Sequence, residues 1–419
     1  MLVASTSQVE SKRLSDEVEI VEVESAPPAN RLEAPREGIP QVIETEEQLA
    51  TAISSLAQGT GPVAIDAERA SGYRYSSRAY LVQLRRQDAG SFLIDPTFFS
   101  NLASLNSALN DAEWILHAAT QDLMCLREVG IHPTRLFDTE HAGRLLGKPK
   151  VGLSSLLESE LDVSLAKEHS AADWSTRPIP EPWLNYATLD VELLIELRET
   201  LLQQLHERDR WTWAQQEFEY LVSWQPAPPP EDPWRRLSGI HTIRDARQLA
   251  IARELWIWRD QLGRERDKAV GRLLSDAAIL DVAKSPLKSA RDVYMLSSLR
   301  NRSHKAHADT IWEIRQAALA LPESQLPQTN KKSGALPPPK AWADRNPEAA
   351  ARWEKIRPAL NAIAEELEIA PEVLVSPEPI RQFCWDPTDA LDSLDEWLRI
   401  YKVRQWQIDF ISPILLTTD

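Results

Sequence analysis

The sequence predicts an α/β domain with a mixed sheet flanked by helices, followed by one or two all-α bundles. Between residues 62 and 95 three apolar, strand-like runs are joined by short connections, which permit only antiparallel neighbours. A strand–helix–strand stretch then ends at Glu113–His117, and such a crossover favours parallel pairing, so the sheet becomes mixed. Beyond the Pro-rich segment 225–233, LAIARELWIWRDQLGRERD carries the periodicity of a bundle helix.

Residues 1–38 are acidic and Pro-containing, with too little apolar material to offset the entropy of ordering, and are expected to form a disordered tail. Within it VEIVEVE (18–24) has the alternation of an edge strand. Thr45 to Leu56 reads as a helix capped by Thr45, with Gln48 three residues on. The strand 62–68 follows the turn Gly59-Thr60-Gly61, and Tyr80–Leu84 and Ser91–Asp95 flank the turn Gln87–Gly90. A helix over 101–110 leads to strand 113–117, and Ala118–Leu126 opens another helix. Two short helices are expected in 138–161, the first capped by Asp138, and a long one over 181–206. The domains expected are 39–224, 234–321 and 341–416, separated by linkers at 225–233 and 322–340.

Composition narrows the function. A chain of 419 residues, 43% hydrophobic and 26% charged, suits a soluble protein of two or three domains at roughly 150 residues each. Two cysteines, Cys125 and Cys384, make neither a zinc spacing nor a disulfide framework, and no secretory signal or membrane-length apolar run occurs, so a cytoplasmic protein is expected; a monomer is the expected state. A net charge of −16 excludes a protein that simply coats nucleic acid. Residues 234–322 nevertheless carry seventeen Lys and Arg against ten Asp and Glu, including Arg300, Arg302 and Lys305, a basic module suited to a polyanion.

The run Val63-Ala64-Ile65-Asp66-Ala67-Glu68 ends an apolar strand in two acids that share a face. Acids that close repel unless a cation sits between them, so a divalent metal site is one reading. Four Asp-x-Glu triplets occur, at 66, 111, 138 and 190, and a solvated surface is the other reading for each. Asp122 stands at a strand-to-helix switch, as a dipole-stabilising acid or as a third ligand. Tyr186 and Asp190 fall on one helical face. There the acid can hold an ion while the phenol orients a water, since a phenol near its ordinary pKa of about 10 is a poor base at neutral pH.

Taken in order, Asp66-x-Glu68, His117-Ala118-x-x-x-Asp122 and Tyr186-x-x-x-Asp190 resemble the DEDD superfamily of 3′-5′ exonucleases, in its tyrosine branch, and within it ribonuclease D. The likeness covers about residues 40–206 and extends through Lys167 and Asp173-Trp174-x-x-Arg177-Pro178. Residues 234–321 resemble a helicase-and-RNase-D-C-terminal (HRDC) domain, and 341–416 follow with the cadence of a second HRDC-like bundle. That bundle is expected to pack back on the exonuclease domain; the resemblance implies that it also helps form a substrate funnel.

The resemblance implies a ribonuclease H-like fold and a metal-dependent 3′-5′ exoribonuclease that releases nucleoside 5′-monophosphates from RNA with a free 3′ end, tRNA precursors among them. It implies two Mg²⁺ or Mn²⁺ ions. Asp66 bridges both, Glu68 and Asp190 complete the nucleophile side, and Asp122 holds the other ion. Lys167, Arg177 and His117 are candidate substrate contacts, with structural pairing as the alternative. The residue after Glu68 is Arg69, where many relatives carry a hydrophobic or aromatic side chain. A DNA exonuclease, a non-catalytic nucleic-acid-binding protein and a purely structural helical protein remain as rivals.

Overall fold

Strand β1 (Asn30–Leu32) and strand β2 (Val42–Ile43) precede a helix whose start obeys its sequence. The Gln48 amide donates to the Thr45 hydroxyl at 3.3 Å while the Gln48 side chain accepts from Thr45 N at 3.1 Å. This reciprocal cap opens α1 (Glu46–Gln58). The structure is a computed structural model describing residues 30–165, 172–299, 302–329, 336–388 and 393–417.

The central strand β3 (Thr60–Arg69) pairs antiparallel with β4 (Ala79–Gln87), which pairs antiparallel with β5 (Gly90–Ile94). On its other side β3 runs parallel to β6 (Trp114–Leu116), which runs parallel to β7 (Leu136–Asp138). With β2 alongside β5, the mixed sheet has the order β2-β5-β4-β3-β6-β7. Val63, Ala64 and Ile65 are buried, as the apolar run on a strand covered on both faces requires.

Helices α2 (Leu105–Leu109), α3 (Leu123–Glu128), α4 (Thr139–Leu145) and α5 (Leu153–Leu161) flank the sheet, α2 being shorter than the stretch expected over 101–110. The long helix expected over 181–206 is two, α6 (Glu181–Glu192) and α7 (Leu194–Glu207), broken where Leu193 leaves helical geometry at φ −114, ψ 6. The break lets α6 pack on β3, β4 and β5 while α7 packs on β3 and β6.

Part of the expected tail is ordered. Asn30–Leu32 pairs in parallel with β8 (Val163–Leu165), and Arg36 reaches Glu196 at 2.7 Å. Long-range pairing supplies what local apolar content lacked. The VEIVEVE run lies outside the described residues.

After α8 (Trp211–Val222), the segment 234–329 builds its own core around Trp234, Leu255, Ile279 and Ile311, with α9 (Ala246–Arg266) at its centre. The C-terminal helices behave differently. Trp342, Ile356, Phe383 and Trp406 belong to the same continuous core as the sheet, so this unit does pack back on the first domain. Trp406 stacks on Trp213 of α8, centroids 4.7 Å apart and planes 12° apart. Among the described residues, no helix is long and apolar enough to cross a membrane.

Candidate active site

The end of β3 presents Asp66 and Glu68 to a cavity of about 260 Å³, and α6 supplies Asp190 and Tyr186 to its wall. Carboxylate oxygens of Asp66, Glu68 and Asp190 all lie within 4.8 Å of one another. Asp122 reaches the same cavity from the turn between β6 and α3. Acids separated by up to 124 residues thus converge at the strand end.

That turn is braced by a residue expected to be a simple cap. Asp138 does cap α4 by accepting from His141 N at 3.0 Å, and it also accepts from Ala118 N at 3.2 Å and Ala119 N at 2.8 Å. Ala118 is left-handed at φ 58, a conformation disfavoured for a residue with a Cβ, and the two bonds to Asp138 hold it there. Asp122 follows directly.

Crowding sets the electrostatics. Burial pushes the Glu68 carboxyl up to about 10, and Asp66, Asp190 and Asp122 push the same way. Burial likewise raises Asp66, and it raises Asp122 and Asp190 with the Asp66 charge adding to both. Four mutually repelling carboxylates with no sulfur or imidazole donor among them fit hard, oxygen-seeking divalent cations. Tyr186 lines the cavity beside Asp190, and burial followed by the nearby carboxylates raises its phenol. It remains a protonated donor at neutral pH.

The other acidic triplets separate cleanly. Glu113 pairs with Arg198 at 2.7 Å and Glu140 with Arg144 one turn away. Glu192, expected on the helix surface, is instead fully buried, with Arg85 at 3.5 Å from one carboxylate oxygen.

Residues 40–206 match the family model described as a 3′-5′ exonuclease, residues 248–314 match the HRDC domain, and residues 335–418 match the 3′ to 5′ exonuclease C-terminal domain. Ribonuclease D of Gluconacetobacter diazotrophicus is 31% identical over 372 residues, covering 86% of this chain and 90% of that protein. The chain belongs to the ribonuclease D family. The Escherichia coli K12 member is 28% identical over 348 residues, covering 82% of this chain and 89% of that protein. The crystal structure of Escherichia coli RNase D, an exoribonuclease involved in structured RNA processing, aligns at TM-score 0.63 and 27% identity over 82% of this chain and 89% of that one. A protein from Bifidobacterium adolescentis aligns at TM-score 0.84 and 37% identity, over 92% and 98% of the two chains. As a ribonuclease D family member the chain is a 3′-5′ exoribonuclease with a ribonuclease H-like catalytic fold, and it carries an acidic cluster of the kind that this divalent-metal-dependent family uses.

The remaining candidates divide. His117 lines the cavity, its Nδ1 2.9 Å from Thr139 Oγ1, and burial lowers its pKa. Arg177 is engaged elsewhere: it holds the fully buried Asp95 and donates to the carbonyls of Tyr80 and Trp174 at 2.7 Å each, so it ties the loop to the sheet, and it does not line the cavity. Trp174 of the same segment is fully buried with its ring 6.3 Å from that of Tyr186. Lys167 and Arg300 lie outside the described residues. Arg69, which the sequence marks as a departure beside Glu68, lines the cavity, but its ion pair with Asp122 was not expected.

Proposed function

We propose that Asp66, Glu68, Asp122 and Asp190 hold two divalent ions, Mg²⁺ or Mn²⁺, and that Tyr186 orients the attacking water. The observation that carries this reading is the meeting of three carboxylates within 4.8 Å, with the fourth on the same cavity. Bound there, the ions would supply a water ionised at neutral pH and would neutralise charge on the leaving 3′-oxygen. Asp66 would bridge both positions, Glu68 and Asp190 the nucleophile side, and Asp122 the leaving-group side. The Tyr186 hydroxyl, kept protonated by burial and the nearby carboxylates, would aim the water in line with phosphorus. His117 would keep the end of β6 in place through Thr139.

The substrate would be RNA with a free 3′ end, precursors of tRNA among them, shortened by one nucleoside 5′-monophosphate per cycle in the cytoplasm by a monomer. The division of labour would follow the expected domains. Residues 39–224 would cut, the basic bundle 234–321 would contact RNA, and 341–416 would complete the catalytic body, whose core it shares.

The test is incubation of the purified full chain with 3′-extended tRNA and with matched RNA and DNA oligomers in Mg²⁺. Mononucleotides should appear from RNA, and Asp66→Asn should release none. Full activity in Asp66→Asn would overturn the assignment, and equal cleavage of DNA would overturn the sugar preference, which rests on contacts to the 2′-hydroxyl.

A further inference from the structure

Arg69 is the cation nearest in sequence to the acidic site. Strict alternation along β3 would send residue 69 to the face opposite Glu68. The β3–β4 ladder instead shifts register between Glu68 and Arg69, the kind of irregularity that twists a strand end and re-aims a side chain. The guanidinium reaches the acid side, with Nη2 3.5 Å from Asp122 Oδ1. Its side chain is 27% exposed and lines the cavity, whereas that of Asp122 is 7% exposed.

The chain just beyond Arg69 is not free to drift. The basic bundle grips residues 72–76. Ala269 N donates to Tyr73 O at 3.0 Å, Arg272 donates to Gly72 O at 2.7 Å and covers the Tyr73 ring at 4.0 Å, and Tyr75 donates to Asp260 at 3.0 Å. Arg69 therefore stands at the end of β3, next to an anchored loop.

We infer that Arg69 is a displaceable internal cation. Its pairing with Asp122 competes with a divalent ion for that carboxylate, and ion binding releases it toward an incoming RNA phosphate. This rests on the four acids being a metal site. A dication at Asp122 repels the guanidinium, and the cavity mouth is where a phosphate arrives; Arg fits that role because its fork binds phosphate in two places. The cation's pull on Asp66, Glu68 and Asp122 opposes their mutual repulsion.

Calorimetric titration of the full chain with Mn²⁺ alone tests the competition, using wild type, Arg69→Gln, Arg69→Lys and Asp66→Asn, each checked for native circular dichroism. Arg69→Gln should bind Mn²⁺ about three- to ten-fold tighter than wild type, with Arg69→Lys close to wild type. For RNA at saturating Mn²⁺, Arg69→Gln should raise KM about ten-fold and change kcat less. If wild type binds Mn²⁺, Asp66→Asn loses it and Arg69→Gln binds no tighter, the metal site stands and the competition is refuted. An unchanged KM refutes the release toward phosphate. Should wild type take up no Mn²⁺ that depends on Asp66, the metal reading and this inference fall together.

Discussion

Arg404 of the C-terminal helices grips Glu217 of α8 across the seam between the two units, Nη2 to Oε2 at 2.6 Å and Nε to Oε1 at 2.7 Å. Glu217 is 1% exposed and also accepts from the Trp406 indole at 2.8 Å, so the ion pair and the Trp213–Trp406 stack form one unit. Breaking a buried pair leaves an uncompensated charge. Arg404→Ala should therefore cost about 3 kcal/mol, the lower end for such losses because His141 stays 3.3 Å from the carboxylate. A urea midpoint shift accompanied by altered tryptophan emission would report it; an unshifted midpoint would show the seam is held elsewhere.

The same carboxylate makes the seam sensitive to acid. Burial raises the Glu217 pKa, but the hydrogen bond from His141 and the Arg404 charge outweigh it and leave the group below its ordinary 4.5. A depressed carboxyl contributes stability that is complete above the unfolded value and lost as pH falls through the folded value. Tryptophan emission should thus hold steady down to pH 4.5 and change only below it. A transition centred above that value would contradict the assignment.

Divalent ions should stabilise the protein and one catalytic substitution should do the same without them. In EDTA, Asp66→Asn removes a charge from a cluster whose members repel each other, so its Tm should exceed that of wild type. Adding Mg²⁺ should then raise wild type, by mass action, and leave Asp66→Asn nearly unmoved. The reverse order of Tm values in EDTA is the adverse result.

Tyr186→Phe keeps the ring near Trp174 and deletes only the hydroxyl that lies on the cavity beside Asp190. An orienting role predicts a fall in kcat of about 10²-fold with KM nearly constant. Rapid-quench kinetics on a short RNA would measure it, and a change confined to KM would reassign Tyr186 to substrate binding.

The grip of the basic bundle on residues 72–76 should be measurable without RNA. Tyr75→Phe removes the bond to Asp260, worth about 1 kcal/mol, so amide exchange in that loop should quicken about five-fold. Unaltered exchange would mean that the loop is ordered by the exonuclease domain itself.

Where local chemistry specifies structure, the sequence could be read directly. The Thr45–Gln48 cap, the turn at Gln87–Gly90 and the one-turn spacing of Tyr186 and Asp190 each depend on residues within a few positions of one another. The strands β2 and β7, two and three residues long, escaped notice because they carry almost no periodicity and exist through their neighbours β5 and β6. Glu192 looked like a surface acid because helical spacing says nothing of Arg85, which meets it from a strand over a hundred residues away.

By itself, the sequence determined the mixed sheet with helical bundles behind it, and the order of the acids Asp66, Glu68, Asp122 and Asp190 along the chain. Tertiary structure alone decided what each acid of the four triplets meets in space. Asp66 and Glu68 stand among other carboxylates, while Glu113, Glu140 and Glu192 are met by arginines. It also decided that Arg69 turns toward Asp122 and that the C-terminal helices join the catalytic core. Charge pairing, strand register and burial depend on distances in space, and a chain specifies those only through all of its packing at once.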